Sequence, residues 1–531
     1  MIRTHLALDS DFSIGALDRR VFGAFVEHVG RCVYTGIYEP GHPTADGNGF
    51  RGDVLTLTRE LGATIVRYPG GNFVSGYDWE DGVGPRAQRP TRLDLAWHST
   101  ETNAFGTDEF IAWCRAAGVE PMLAVNLGTR GADAARRLVE YCNHPAGTTL
   151  SELRRGHGCQ RPHAVRAWCL GNEMDAPWQI GQKTADAYGR LARDAARLMR
   201  RISPDVEFTA CGSSNRDLPT FGAWEDQVLE ECFEEVDLLS VHAYFENPHA
   251  DTWEFLGNID RMDLHIREVA AIADAVAARR HSPRRIGLAV DEWNVWYKAR
   301  AGDHARKPDW PQAPRLIEEE YNFEDALAAG GALCVLMNNA DRVKTACLAQ
   351  LVNAIGAIRT EPGGAAWRQT IFHPFALAAR HARGRVLRPA IASPTRAGKL
   401  HPEMAYLVAS ATHDAANGRL AVFALNRHLA EEQELRVELR GFGGGRQLLE
   451  AIELHHPDMQ ACNTEGAPDT VRPRAHRRVE LDVGGFSARL QPGSWNVFVL
   501  SVPAAQSGLR ASRNSSEPEP ATSASTVKPA R

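Results

Sequence analysis

The stretch VRAWCLGNEMD, residues 165–175, is apolar but for Arg166 up to a glycine and then delivers Asn172 and Glu173. LAVDEWN, residues 288–294, repeats that arrangement and ends on Asp291 and Glu292. Apolar runs without alternation are expected in strands covered on both faces, as in a parallel sheet wrapped by helices. Further runs begin at VFGAF (Val21), TIVRY (Thr64), PMLAVN (Pro121), VEFTACG (Val206), VDLLSVH (Val236) and ALCVLMN (Ala332); with VRAWCLG and RIGLAV (from Arg285 or Ile286) they make eight. Between them lie stretches of helical spacing at Asp53–Leu61, Asp108–Ala117, Asp133–Cys142, Thr184–Arg201, Asp260–Arg280 and Tyr321–Ala329, several opening on Asp or Thr and closing at Gly or before Pro. Eight such units, with long loops after the first, second and seventh strands, predict a closed (β/α)₈ TIM barrel over residues 17–380 rather than an open doubly wound sheet.

Beyond the barrel the period changes to two. AYLVASATH (405–413), GRLAVFALNRH (418–428), QELRVELRGFGGG (433–445) and RRVELDVGGFSARLQPGSWNVFVLSV (477–502) alternate apolar and polar residues between Gly, Asn and Pro punctuation. They predict a jelly-roll-like β-sandwich over 381–503. Residues 1–16 hold a strand, THLALD, with no helix after it, and are expected to join that sandwich. The Ser-, Ala- and Pro-rich residues 504–531 have almost no large apolar side chains and read as a disordered tail.

In 531 residues the net charge is −6, with acidic and basic residues interspersed, so no basic stripe is offered to nucleic acid. Ten cysteines lie singly, without a CxxC pair, and read as reduced core residues. MIRTHLALDS lacks the apolar centre of a signal peptide and no run is long enough to span a bilayer, so a cytoplasmic protein without a membrane partner is expected. HGCQRPH (157–163) lacks a fourth ligand at zinc spacing. ADGNG (45–49) lacks the terminal Glu of a calcium loop, and GFGGG at Gly441 has no helix after it to make a dinucleotide fingerprint. Neither metal nor cofactor is expected.

In a parallel barrel the chemistry lies where the strands finish. Glu173 after the fourth strand and Glu292 after the seventh would face each other across the mouth. Two carboxyl groups about 5–5.5 Å apart suit a retaining glycosidase, one ionised to attack the anomeric carbon and one kept protonated by its neighbour's charge. The other strand ends carry sugar-type ligands: Glu27 and His28, Arg67 and Asn72, Asn126, Asn172, His242 and Tyr244, and Asn338 and Asn339 after the eighth. Trp97, Trp178, Trp293 and Trp296 could supply stacking faces. Arg67 could equally serve as an ion-pair partner of Glu27 or Asp291, and either Glu taken alone would more often be a cap or ion-pair partner.

Long stretches of the chain resemble glycoside hydrolase family 51, the α-L-arabinofuranosidases. They include residues 22–55, VRYPGGNFVSGYDWEDGVGPR (66–86), LAWHSTETNAFGTDEF (95–110), WCLGNEMDAPWQIG (168–181), ACGSSNR (210–216), DEWNVWY (291–297), CLAQLVNAIGAI (347–358) and AWRQTIFHPF (366–375). The resemblance implies a retaining, exo-acting enzyme removing α-L-arabinofuranosyl units, with Glu173 as acid/base and Glu292 as nucleophile. Glu27, Arg67, Asn72, Asn172, Tyr244 and Gln350 would grip the furanose, and Trp97 and Trp178 would lie near the sugar or its leaving group. It also implies a barrel joined to a β-sandwich, and a homo-oligomer, commonly a hexamer. Gln350 enters on the resemblance alone, because LAQLVNAI otherwise reads as a helix with that residue facing solvent. Ala176 and Phe245 depart from the family's usual Gly and Tyr. The fold and the carboxylate pair do not choose the sugar, so a β-xylosidase or endoglucanase specificity stays open on the residues alone. So does a binding protein without turnover, against which the presence of both Glu173 and Glu292 argues.

Overall fold

A computed structural model describes residues 2–299, 309–399 and 401–502. The expected tail, 504–531, lies outside them. Eight parallel strands close into a barrel in sequence order: β1 (Gly23–Phe25), β2 (Ile65–Tyr68), β3 (Glu120–Val125), β4 (Ala167–Leu170), β5 (Glu207–Ala210), β6 (Leu238–Phe245), β7 (Gly287–Val295) and β8 (Val343–Leu348). Phe25, Ile65, Met122, Ala124, Ala167, Cys169 and Cys347 cluster as one buried group drawn from these strands. All ten cysteines are free.

Seven of the predicted strands form where the apolar runs lie, and the eighth does not. ALCVLMN belongs to the helix Phe323–Asn338, and β8 is the following VKTACL. The physical reason is burial: every residue of that helix from Phe323 to Met337 is buried, so it lacks the polar stripe that marks a helix beside solvent. The helix lies between the barrel and the second domain. A Cβ on Gly330 would come 2.4 Å from the Trp495 ring, and one on Gly331 would come 2.2 Å from Ile259, so both glycines are needed for close approach.

That second domain has two sheets. One orders Ala390–Ala392, Ile2–Asp9, Gln433–Arg440, Gly485–Leu490 and Val479–Asp482; the other has seven strands with Arg419–Asn426 and Ser494–Ser501 at its centre. Ile2–Asp9 runs parallel to Gln433–Arg440 over eight residue pairs. Alternation does the packing. Leu435, Val437 and Leu439 point inward with Leu6 and Leu8, and meet Phe486, Phe498 and Leu500 in a core separate from that of the barrel.

Candidate active site

The strand ends converge at the mouth. Arg67, at the end of β2, is 1% exposed and holds three neighbours at once. Nη1 donates to Glu292 Oε1 at 2.7 Å, Nη2 donates to Asn172 Oδ1 at 2.7 Å, and Nε lies 3.2 Å from Asp291 Oδ2. Its guanidinium lies over the Phe25 ring, 4.6 Å from the centroid. Strict alternation would turn only one of Asp291 and Glu292 inward. The pairing of β7 slips a residue between Ala289 and Glu292, opposite Ser240 and His242, and this bulge lets both carboxylates reach Arg67.

Glu292 accepts a second bond from Tyr244 Oη at 2.8 Å. Across from it, Glu173 Oε1 lies 2.9 Å from His242 Nδ1, and Glu173 Oε2 accepts from Trp178 Nε1 at 2.7 Å. The same His242 nitrogen is 3.5 Å from Glu292 Oε2, and Nε2 is 3.5 Å from Asp291 Oδ1. Oxygens of Glu173 and Glu292 and a His242 nitrogen all fall within 4.8 Å of one another. Glu173 has φ 44°, a left-handed conformation that a non-glycine residue adopts at a cost, directly after Gly171 at φ 89° and Asn172. The turn is anchored by Asp175, which accepts from Ser213 Oγ at 2.6 Å, Thr220 Oγ1 at 2.7 Å and the Ser214 N–H at 3.0 Å.

On the β1 side Glu27 is clasped. Oε1 accepts from the Phe73 N–H and from Trp97 Nε1, both at 2.9 Å; Oε2 accepts from Gln350 Nε2 at 3.0 Å, and Gln350 Oε1 accepts the Glu27 N–H at 3.0 Å. Gly71, at φ 22°, packs on this carboxylate so closely that a Cβ there would come 2.3 Å from Oε2. Asn72 heads the turn Asn72–Gly76 that follows, half-buried.

The charges do not balance locally: Glu27, Glu173, Asp291 and Glu292 face one arginine and one histidine. Burial pushes Glu173 above the ordinary carboxylate range, with the charge of Glu292 adding to it and His242 and Trp178 opposing. Burial likewise pushes Glu27 up to about 8, against the pull of the Phe73 and Trp97 N–H groups. Asp291 goes the other way, because Arg67 and His242 outweigh its burial and hold it at about 2. For His242, burial is overcome by Glu292, Asp291 and Glu173, which hold the ring well above its usual range. Glu173, biased towards its protonated form, faces Glu292, which Arg67 and Tyr244 hold in place; that pairing suits acid–base work at an anomeric carbon.

Eleven sequence-predicted residues therefore come to one region: Glu27, Arg67, Asn72, Trp97, Asn172, Glu173, Trp178, His242, Tyr244, Glu292 and Gln350. Gln350 is buried directly after β8, not on a solvent-facing helix, which corrects its reading from the sequence. Other expectations also fail. His28 binds Glu101 at 2.8 Å and Tyr68 at 2.7 Å inside an aromatic cluster. Asn126 organises its own loop by bonding Tyr77 O and Thr129. Asn338 and Asn339 end a helix and bond Ala409 O and Asp263. Trp293 is buried against Phe375. Trp296, in contrast, meets Tyr244 of the site edge-on at 5.4 Å.

The sequence and the fold also have known relatives. Residues 57–265 match the α-L-arabinofuranosidase 1 domain, and 291–494 match the α-L-arabinofuranosidase C-terminal domain. An intracellular exo-α-(1→5)-L-arabinofuranosidase of Halalkalibacterium halodurans is 49% identical over 93% of this chain and 98% of its own length. An exo-α-(1→6)-L-arabinofuranosidase of Bifidobacterium longum is 47% identical over 93% and 96%. Among solved structures, a family 51 α-L-arabinofuranosidase from B. longum superposes with a TM-score of 0.90 at 42% identity, covering 94% of this chain and 99% of that one. The chain belongs to glycoside hydrolase family 51, the α-L-arabinofuranosidases. In this family 51 chain, sequence reasoning gave no role to Ser240, which donates to Asp291, or to Asp175. Ser240 was findable, since it precedes His242 and Tyr244 at spacing two on β6.

Proposed function

We propose that the chain is a retaining exo-α-L-arabinofuranosidase that removes terminal non-reducing α-L-arabinofuranosyl residues from arabinan, arabinoxylan or oligosaccharides by double displacement, with Glu292 as nucleophile and Glu173 as general acid/base. The observation that carries it is the approach of the Glu173 and Glu292 carboxylates to within 4.8 Å, with His242 against both. An oxygen-to-oxygen approach this close favours the roughly 5–5.5 Å carboxyl spacing of retaining enzymes over the roughly 6.5–9.5 Å of inverting ones.

In the first step Glu292, positioned by Arg67 and Tyr244, bonds to the anomeric carbon as the bond to the leaving oxygen breaks, and the Glu173 proton passes to that oxygen. In the second, water attacks the same carbon, gives its proton to Glu173 and releases Glu292. Asn172 Nδ2 is buried without a hydrogen-bond partner among the described residues and is a donor for a sugar hydroxyl beside the reacting carbon. Glu27, Asn72, Trp97 and Gln350 bind the rest of the ring. Trp178, 51% exposed, forms the outer wall and orients Glu173.

Relatives of nearly equal identity are named for the 1→5 and the 1→6 linkage, so the proposal names the sugar and not the bond. The intracellular naming of relatives supports action inside the cell, and no helix among the described residues is long and apolar enough to cross a membrane. The proposed partner is an arabinofuranosyl oligosaccharide or polysaccharide, with no role for nucleic acid or membrane. A homo-oligomer, a hexamer by family resemblance, is checked by light scattering. The decisive assay is hydrolysis of an aryl α-L-arabinofuranoside followed by proton NMR, with the α-anomer of arabinose appearing first. Cleavage of an aryl β-xylopyranoside or a β-glucan in its place would overturn the substrate, and first release of the β-anomer would overturn the mechanism.

A further inference from the structure

A second group of ligand-type side chains lies away from the sugar site. HGCQRPH looks short of ligands along the sequence, but the fold brings it an oxygen donor from a distant helix. One candidate ligand atom from each of Asp108, Cys159 and His163 lies within 4.8 Å of the other two. Asp108 stands in the first turn of the helix Thr107–Ala117, and its Oδ1 is 2.7 Å from His163 Nε2. Its other oxygen accepts from Tyr141 Oη at 2.7 Å, and that hydroxyl lies 3.0 Å from His157 Nδ1. His163 is only 6% exposed, yet its Nδ1 has no hydrogen-bond partner among the described residues. Cys159 is half-exposed in the loop between the helix Thr149–Gly156 and β4, which leaves a route in from solvent.

We propose that Asp108, Cys159 and His163 form a binding site for a divalent cation of the zinc class, completed by water and independent of arabinoside hydrolysis. One oxygen, one sulfur and one imidazole nitrogen suit a borderline-soft ion and disfavour magnesium or calcium, which take oxygen ligands only. Tetrahedral ligands at zinc distances lie roughly 3.3–3.7 Å apart, so Asp108 and His163, hydrogen-bonded at 2.7 Å, must part slightly to admit the ion, while a Cys159 ligand atom already lies within 4.8 Å of one on each. Tyr141 and His157 would then be outer partners, holding Asp108 in place. Cys159 would bind the cation as its thiolate, so binding releases a proton and should tighten as pH rises. Bound there, it would fasten the helix Thr107–Ala117 to the segment that leads into β4 and on to Asn172 and Glu173.

The test uses the full chain. After dialysis against zinc, inductively coupled plasma mass spectrometry should find about one zinc per chain, and cobalt substitution should give a near-ultraviolet thiolate-to-metal band. Cys159→Ser should lose the band and weaken zinc binding by at least ~100-fold, a larger loss than removal of an outer partner gives, while keeping its aryl arabinosidase activity. The carboxylate–imidazole group Glu173, His242 and Glu292 is the competing place for an ion, so Glu292→Gln is the control and should bind zinc as the unaltered chain does. Absence of stoichiometric zinc, binding indifferent to Cys159→Ser, or binding lost in Glu292→Gln would each overturn the site. Because His163→Ala could fail to fold, the cobalt band and the thermal shift on adding zinc to Cys159→Ser decide the matter.

Discussion

The barrel mouth and the seam between barrel and sandwich both bury their side chains, but from opposite materials. At the mouth Glu27, Arg67, Glu173, His242, Asp291 and Glu292 are all buried within reach of one another, and Asn172 keeps an unmatched donor. At the seam, Ala326–Met337 of the central helix contains no charged side chain and closes on Trp495 and Ile259 through two glycines. Buried charge with incomplete pairing costs stability, and a fold tolerates it where a ligand completes the set. Apolar contact at the seam needs no partner from outside. Altering the mouth should therefore change rate far more than stability, and altering the seam should do the reverse.

The largest effect expected is Glu292→Gln, with kcat/KM falling about 10⁴-fold or more on every arabinoside while the melting temperature stays near that of the parent. A variant that is inactive because it melts would collapse the distinction. Glu173→Ala should come next, costing about 10²–10⁴-fold with poor leaving groups, far less with activated aryl substrates, and recovering with azide. Equal losses across leaving groups would remove Glu173 from the acid role. Gly330→Val should cost about 1–3 kcal/mol in chemical denaturation through collision with Trp495, while kcat per folded molecule is unchanged. A large drop in kcat would show the seam reaching the chemistry. The smallest effect is a shift in pH profile. His242 favours the ionised form of Glu173, so His242→Asn should raise the Glu173 pKa and carry the alkaline limb of kcat/KM to higher pH; movement to lower pH would reverse the electrostatic account.

Much of this was readable in the sequence, and the exceptions have causes. β4 and β7 were plain because each apolar run ends abruptly in carboxylate and amide side chains. The sandwich was plain because strands such as Ile2–Asp9 and Gln433–Arg440 alternate buried and partly exposed residues and so print a period of two. The eighth strand was misplaced because the Phe323–Asn338 helix is wrapped in protein on all sides, which erases the amphipathic signal. The joint inward placement of Asp291 and Glu292 depends on a bulge, a local insertion with no composition of its own. Asn338, Asn339 and Trp293 were drawn into the predicted site by chemistry alone, without knowledge of the direction in which their elements point.

The parallel pairing of Ile2–Asp9 with Gln433–Arg440 joins two strands separated by more than 400 residues of chain. Until the later strand is synthesised, the earlier one lacks this partner and its open edge can template association with other chains. Removing residues 2–9 should therefore lower soluble yield from cells more than it lowers the specific activity of the molecules that do fold.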